Sequence, residues 1–86
     1  MMIFQKNDKF VCNDGTLLKI IELTEKGIRF RVNGSRIVLL YENWKEINSF
    51  LKTDLKKLTE YQYKELLDEY WKFIENNSDV HIERYE

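Results

Sequence analysis

Proline and alanine are missing from this sequence altogether, and it holds a single cysteine and a single histidine. Alanine and proline are encoded by GC-rich codons, while the abundant Lys, Ile, Asn, Glu and Tyr are not, so the composition points to a low-GC genome. Cys12 alone excludes an intramolecular disulfide. A zinc site needs about four Cys or His ligands, or three and an open position, which Cys12 and His81 do not supply. Gly15, Gly27 and Gly34 stand apart from one another as turn glycines, which excludes a glycine-rich phosphate loop.

Long apolar runs are also lacking. None approaches the roughly 18–20 residues of a membrane span. Met1-Met2-Ile3-Phe4 runs directly into Gln5, Lys6, Asn7 and Asp8, so no signal peptide is read there. The expectation is a cytoplasmic protein of a bacterial or infected host cell, in a reducing compartment and without a membrane partner. The net charge is −1, too balanced for an electrostatically driven nucleic-acid binder or an acidic DNA mimic. Residues 1–41 carry seven basic against four acidic side chains (+3), and residues 42–86 seven against eleven (−4).

What is present is enough for a core. Apolar residues are 43 % of the 86 and aromatics 14 %, which argues against disorder and for one domain over residues 1–86.

The first half reads as an antiparallel meander. Lys9–Cys12 is a short strand ended by Asn13-Asp14-Gly15. Thr16–Leu23 is a second strand, followed by a four-residue loop, Thr24-Glu25-Lys26-Gly27. Ile28–Val32 alternates apolar and charged residues, the period of a strand with one buried face. Asn33-Gly34 then supplies the two positive-φ positions of a type I′ turn, and Arg36–Tyr41 returns. A two-residue loop sets Arg31 opposite Arg36, Phe30 opposite Ile37 and Arg29 opposite Val38. One face then carries Leu17, Ile21, Leu23, Ile28, Phe30, Val32, Ile37, Leu39 and Tyr41. The other mixes Leu18, Ile20, Val38 and Leu40 with Glu22, Arg29, Arg31 and Arg36. Four apolar residues among those charges imply that the sheet is covered there or curls into a small, partly closed barrel.

The second half reads as helix. Asn43 and Glu46 form a cap-like pattern, and Trp44, Ile47, Phe50, Leu51, Leu55 and Leu58 recur at helical spacing, as one helix or two short ones. Thr59 to Gln62 is a capping box for a long helix from Glu60 to about Asn76. Its apolar stripe is Tyr63, Leu66, Leu67, Tyr70, Phe73 and Ile74. Asn76-Asn77-Ser78-Asp79 ends it, and Val80–Tyr85 alternates like a final edge strand. The fold class is α+β.

Catalytic residues are scarce. Nucleophilic catalysis needs a nucleophile, a base and an orienting group, and Cys12 with His81 is the one available pair. Carboxylates such as Asp68 and Glu69 belong to the solvated face of an amphipathic helix. No enzyme, metal or cofactor is expected. The stronger signals are for binding. Arg29, Arg31 and Arg36 share one face, and arginine's planar fork suits carboxylates and phosphates. Trp44, Tyr61, Tyr63, Tyr70, Trp71, Phe73 and Tyr85 are more aromatics than one helical stripe hides. Trp, Tyr and Arg are the usual anchors of interfaces, so Trp44, Tyr61 and Trp71 join the arginines as candidates.

In its small size, single domain, missing catalytic residues, many charged and aromatic groups and Ala-free, Pro-free composition, the chain resembles the small inhibitors encoded by phages and mobile elements of low-GC bacteria. Anti-CRISPR proteins are the best-known of these. The resemblance implies a stoichiometric inhibitor docking on a bacterial defence complex; no motif assigns residue roles. The first expectation is therefore a non-catalytic protein-binding module using Arg29, Arg31, Arg36, Trp44, Tyr61 and Trp71. The alternatives are a nucleic-acid-binding module using the arginine face, and a structural protein that self-assembles as a homodimer.

Overall fold

The structure is a computed structural model that describes residues 4–43, 55–77 and 83–86. Its strands are β1 (Lys9–Cys12), β2 (Leu17–Leu23), β3 (Ile28–Val32), β4 (Val38–Tyr41) and β5 (Leu55–Leu58), followed by helix α1 (Glu60–Asn76). The five strands form one antiparallel sheet in the order β4-β3-β2-β1-β5. The sheet is open, with β4 and β5 as its edges, so it does not close into a barrel.

Both faces of the sheet carry a core. Phe10, Leu18, Ile20, Ile28 and Phe30 are at most 1 % exposed on one face, with Phe4, Cys12, Val32, Tyr41 and Leu55 packed around them. Phe10, Phe30 and Tyr41 meet edge to face, with ring centroids 6.4 and 6.0 Å apart. On the other face Leu17 and Leu58 lie under α1, which contributes Tyr63, Leu67 and Trp71.

Two irregularities alter the register, and the first of them reorders the faces. Leu23 pairs with Ile28 and Glu22 with Arg29 as the loop requires, but Ile20 pairs with Phe30 and Leu18 with Val32. Ile21 is the extra residue of a bulge, and one extra residue inverts the alternation. Leu18 and Ile20 therefore join Ile28 and Phe30, and Leu17 turns to the helix. The opposite face keeps Glu22, Arg29, Arg31, Val38 and Leu40 and holds Leu17 in place of Leu18 and Ile20.

The second irregularity is in the hairpin. Asn33 and Gly34 have φ of 52° and 63°, and the Ser35 N–H donates to the Val32 carbonyl at 2.9 Å, as a type I′ turn demands. Val32's own N–H, however, donates to Ile37 at 2.9 Å. Ser35 is engaged elsewhere: its carbonyl accepts from Arg31 at 2.8 Å, its hydroxyl donates to Val32 at 2.6 Å, and it bridges to Arg84. Ser35, which is buried, and Arg36 thus stand outside the β3–β4 ladder, and the register slips by two. Arg31 faces Val38, not Arg36, and Arg29 faces Leu40. An even slip leaves the faces of β4 unchanged.

Leu55 and Leu58, read as the end of a helical stripe, lie in β5 beside β1. A spacing of three serves a helix face, but in a strand it sends two side chains to opposite faces. Here both faces hold a core, so both leucines find one. The helix expected to start after Asn43 falls on residues 44–54, Trp44 included, which lie outside the described residues, as do residues 78–82.

Helix α1 begins as its sequence dictates. Thr59 Oγ1 accepts from the Gln62 N–H at 3.1 Å, and the Gln62 side chain accepts from the Thr59 N–H at 3.0 Å. The buried stripe steps by four, Tyr63, Leu67 and Trp71, with Tyr70 and Ile74 half-buried beside it. Leu66 and Phe73, assigned to the stripe by spacing, are 38 % and 63 % exposed. The helix rests on the end of a narrow hairpin. Trp71 Nε1 donates to the Asn33 carbonyl at 2.9 Å, and Leu67 lies against Gly34.

Candidate interaction surface

The three arginines do not converge. Arg29 and Glu22 are 3.4 Å apart, both half exposed. Arg36 and Glu83 are 3.7 Å apart, with about three-quarters of each side chain in solvent. Arg31 is mostly covered. The ring of Tyr85 lies 4.0 Å from its guanidinium carbon, and Glu86 is 3.4 Å from its Nε. Exposed ion pairs of this kind contribute at most about 1 kcal/mol. With the slipped register Arg31 no longer lies opposite Arg36.

Arg31 belongs instead to a strap formed by Glu83–Glu86. The Tyr85 and Glu86 N–H groups donate to the Gly34 carbonyl at 2.7 and 3.1 Å. Arg84 binds Asp68 on α1 at 2.7 Å, which holds that carboxyl below its ordinary value. Glu86 sits in the seam between helix and sheet, 2.5 Å from Lys19, and Tyr63 donates to it at 3.2 Å. The Val80–Tyr85 strand expectation is represented among the described residues by the single Ser35–Arg84 bridge.

Burial, and after it the Glu86 carboxylate, push the Tyr63 phenol far above its ordinary value of 10.0. The folded state therefore holds the Tyr63 proton where the unfolded chain has lost it. The contribution of Tyr63 to stability is complete below pH ~10 and falls as pH rises toward the folded value. Subtracting the phenolate absorbance of Tyr63→Phe from that of the wild type should give a curve centred well above pH ~10. A difference curve centred near that ordinary value would contradict the burial of this phenol.

Of the predicted aromatic anchors, Tyr61 is 72 % exposed and donates to Glu65 at 3.1 Å, whereas Trp71 is 4 % exposed and builds the helix–sheet core. Trp71 is thus not a surface anchor.

Among the described residues the longest consecutive run of exposed apolar side chains lies along β4 and the residue before it. Ile37, Val38, Leu39 and Leu40 are 52, 39, 40 and 50 % exposed. They occupy the outer edge of the sheet, and among the described residues no strand pairs with β4 on that side. A recess of about 400 Å³, bordered by Thr24, Lys26, Arg29, Leu40 and Glu42, lies at the end of this strand. The signal was in the sequence, as four consecutive apolar residues and a tyrosine between Arg36 and Glu42 where a half-buried strand would alternate.

The opposite edge is built differently. β5 reads Leu-Lys-Lys-Leu, with Lys56 and Lys57 exposed, the usual device against unwanted strand pairing. β4 reads Val-Leu-Leu-Tyr and carries neither charge nor proline. One sheet thus has one guarded edge and one open edge.

A second recess, of about 430 Å³, lies between sheet and helix, lined by Lys9, Lys19, Glu60, Tyr63, Lys64 and Arg84 among others. Among the described residues no group of three or more His, Cys, Asp or Glu side chains is placed to hold a metal ion. None of their helices is long and apolar enough to cross a membrane. No protein-family model, curated protein or solved structure matches the chain.

Proposed function

We propose that this chain is a non-catalytic protein-binding module whose contact surface is the open edge of β4. The observation that carries the reading is the contrast between the two edges: lysines guard β5, while Ile37–Leu40 expose apolar side chains above and below a strand whose outer side is unpaired among the described residues. The occupant such an edge accepts is an extended polypeptide segment. Main-chain hydrogen bonds provide affinity, and side-chain pockets such as the recess beside Leu40 provide specificity. Two of the six anchors expected from sequence, Arg29 and Arg36, flank this edge.

At the finer level we propose a stoichiometric inhibitor, of phage or mobile-element type, that acts in the bacterial cytoplasm on a defence complex. What supports that level is the small size and composition of the chain.

The test pairs the wild type with Val38→Glu/Leu40→Glu. Both positions are partly exposed and face Arg31 and Arg29, so the fold should survive the new charges. A polypeptide retained by the wild type after nuclease treatment, rebuilt as a complex from purified components and weakened more than about tenfold by the double substitution, supports the proposal. Retention indifferent to the substitution, or abolished by nuclease, overturns it.

A further inference from the structure

The edge of β4 is complementary to itself, and we infer that the strand it takes up is the β4 of a second copy of this chain, paired antiparallel about a two-fold axis at Leu39. The inference rests on the reading of β4 as a strand acceptor.

Hydrogen-bond parity comes first. The Val32 N–H bonds to the Ile37 carbonyl, which makes Val32–Ile37 a hydrogen-bonded pair of the antiparallel ladder. Phe30–Leu39 and Ile28–Tyr41, two and four residues further along, share that parity. Leu39 and Tyr41 therefore spend their backbone groups on β3, as Ile37 spends its carbonyl, the Ile37 N–H going to Ser35 Oγ, while Val38 and Leu40 direct theirs outward. A two-fold axis at Leu39 places Val38 of one copy opposite Leu40 of the other, so outward donors meet outward acceptors on both sides of the axis.

Side chains come second. The same register sets Leu39 against Leu39, Ile37 against Tyr41 and Arg36 against Glu42. Four apolar residues and a tyrosine are thus bracketed at each end by an opposite-charge pair, repeated by symmetry. An isologous interface requires this property, and a segment chosen without regard to self-pairing seldom has it. Arg36 is available for the contact, because about three-quarters of each side chain in its pair with Glu83 is in solvent. A register moved by two residues would keep the hydrogen-bond parity but lose the charge pairing, so the charges select this one. An edge holds one strand at a time, and a different protein bound to β4 competes with the second copy.

Sedimentation velocity over a concentration series up to about 1 mM reads the association directly. The wild type should show a concentration-dependent dimer. Arg36→Glu alone, or Glu42→Arg alone, sets two like-charge pairs in the interface and should weaken it by roughly tenfold. The double exchange Arg36→Glu/Glu42→Arg restores both pairs and should recover the dimer. An equimolar mixture of the two single variants should associate more strongly than either alone. In that mixed dimer the two substituted side chains meet each other as an opposite-charge pair, and the unchanged Arg36 and Glu42 meet as another. Val38→Glu/Leu40→Glu should be monomeric throughout. A wild type that stays monomeric over the whole series overturns the inference, as does a dimer whose strength is the same in every charge variant. If the wild type is monomeric while the Val38→Glu/Leu40→Glu pair still abolishes binding of a different protein, self-pairing falls and the strand-acceptor reading stands. If neither self-association nor binding of another protein depends on β4, both fall.

Discussion

Trp71→Ala should destabilise the fold by about 3–5 kcal/mol, the largest effect expected of any single truncation on the helix. The indole is 4 % exposed between α1 and the hairpin end. Its Nε1 donates to the Asn33 carbonyl at 2.9 Å, and Tyr70 meets it edge-on with centroids 5.5 Å apart. Alanine removes the buried area and the hydrogen bond together and leaves a cavity. A domain of this length has roughly 4–13 kcal/mol in total, so a large share of its stability goes. Trp71→Phe keeps most of the apolar contact and should cost only about 1–2 kcal/mol, mainly through the unpaired Asn33 carbonyl. Tyr61→Ala, on the solvent side of the same helix, should change stability by less than about 0.5 kcal/mol. Urea unfolding at fixed pH measures all three. A loss below about 1 kcal/mol for Trp71→Ala would mean that the helix does not depend on this contact.

The second large effect is expected at Gly27. A Cβ there would fall on the Tyr41 carbonyl oxygen and crowd the Cα of Glu42. Those atoms are backbone, so no rotamer change makes room. Gly27→Ala should cost about 3 kcal/mol and move the end of β4 away from β3. Gly15 is the control: its φ is +90°, but a Cβ would meet nothing within 4 Å. Gly15→Ala should therefore cost only the conformational strain, about 1 kcal/mol. If the two substitutions cost the same, the close approach of Gly27 to β4 is not what holds that corner. Because Glu42 and Leu40 border the contact edge, Gly27→Ala should also weaken anything bound to β4.

The elements themselves were readable. Thr59 with Gln62 announced the start of α1, Asn77 marked its end, and Asn33-Gly34 announced the turn. These are local properties: a cap or a positive-φ pair is satisfied by neighbours within about four residues, whatever the rest of the chain does. The strands Lys9–Cys12 and Ile28–Val32 were legible for the same reason.

Face and partner were not local. Ile21 carries no mark that distinguishes a bulged residue from a paired one, yet its extra position inverted every side chain from Leu17 to Ile20. Nothing in the sequence marked Ser35 as the residue that Arg31 and Arg84 would engage, and with it β4 slid by two positions. Leu55 and Leu58 fitted a helix by spacing and became a strand because β1 had a free edge and both sheet faces had a core to fill. Of the candidate site, the sequence by itself determined the residue types: three arginines, surplus aromatics, and an apolar run between Arg36 and Glu42. Only the tertiary structure decided their roles. It buried Trp71, gave Arg31 to Tyr85 and Glu86, and left β4 at the edge. Strand order and register are set by hydrogen bonds between residues far apart in sequence, and no local propensity encodes which of them will meet.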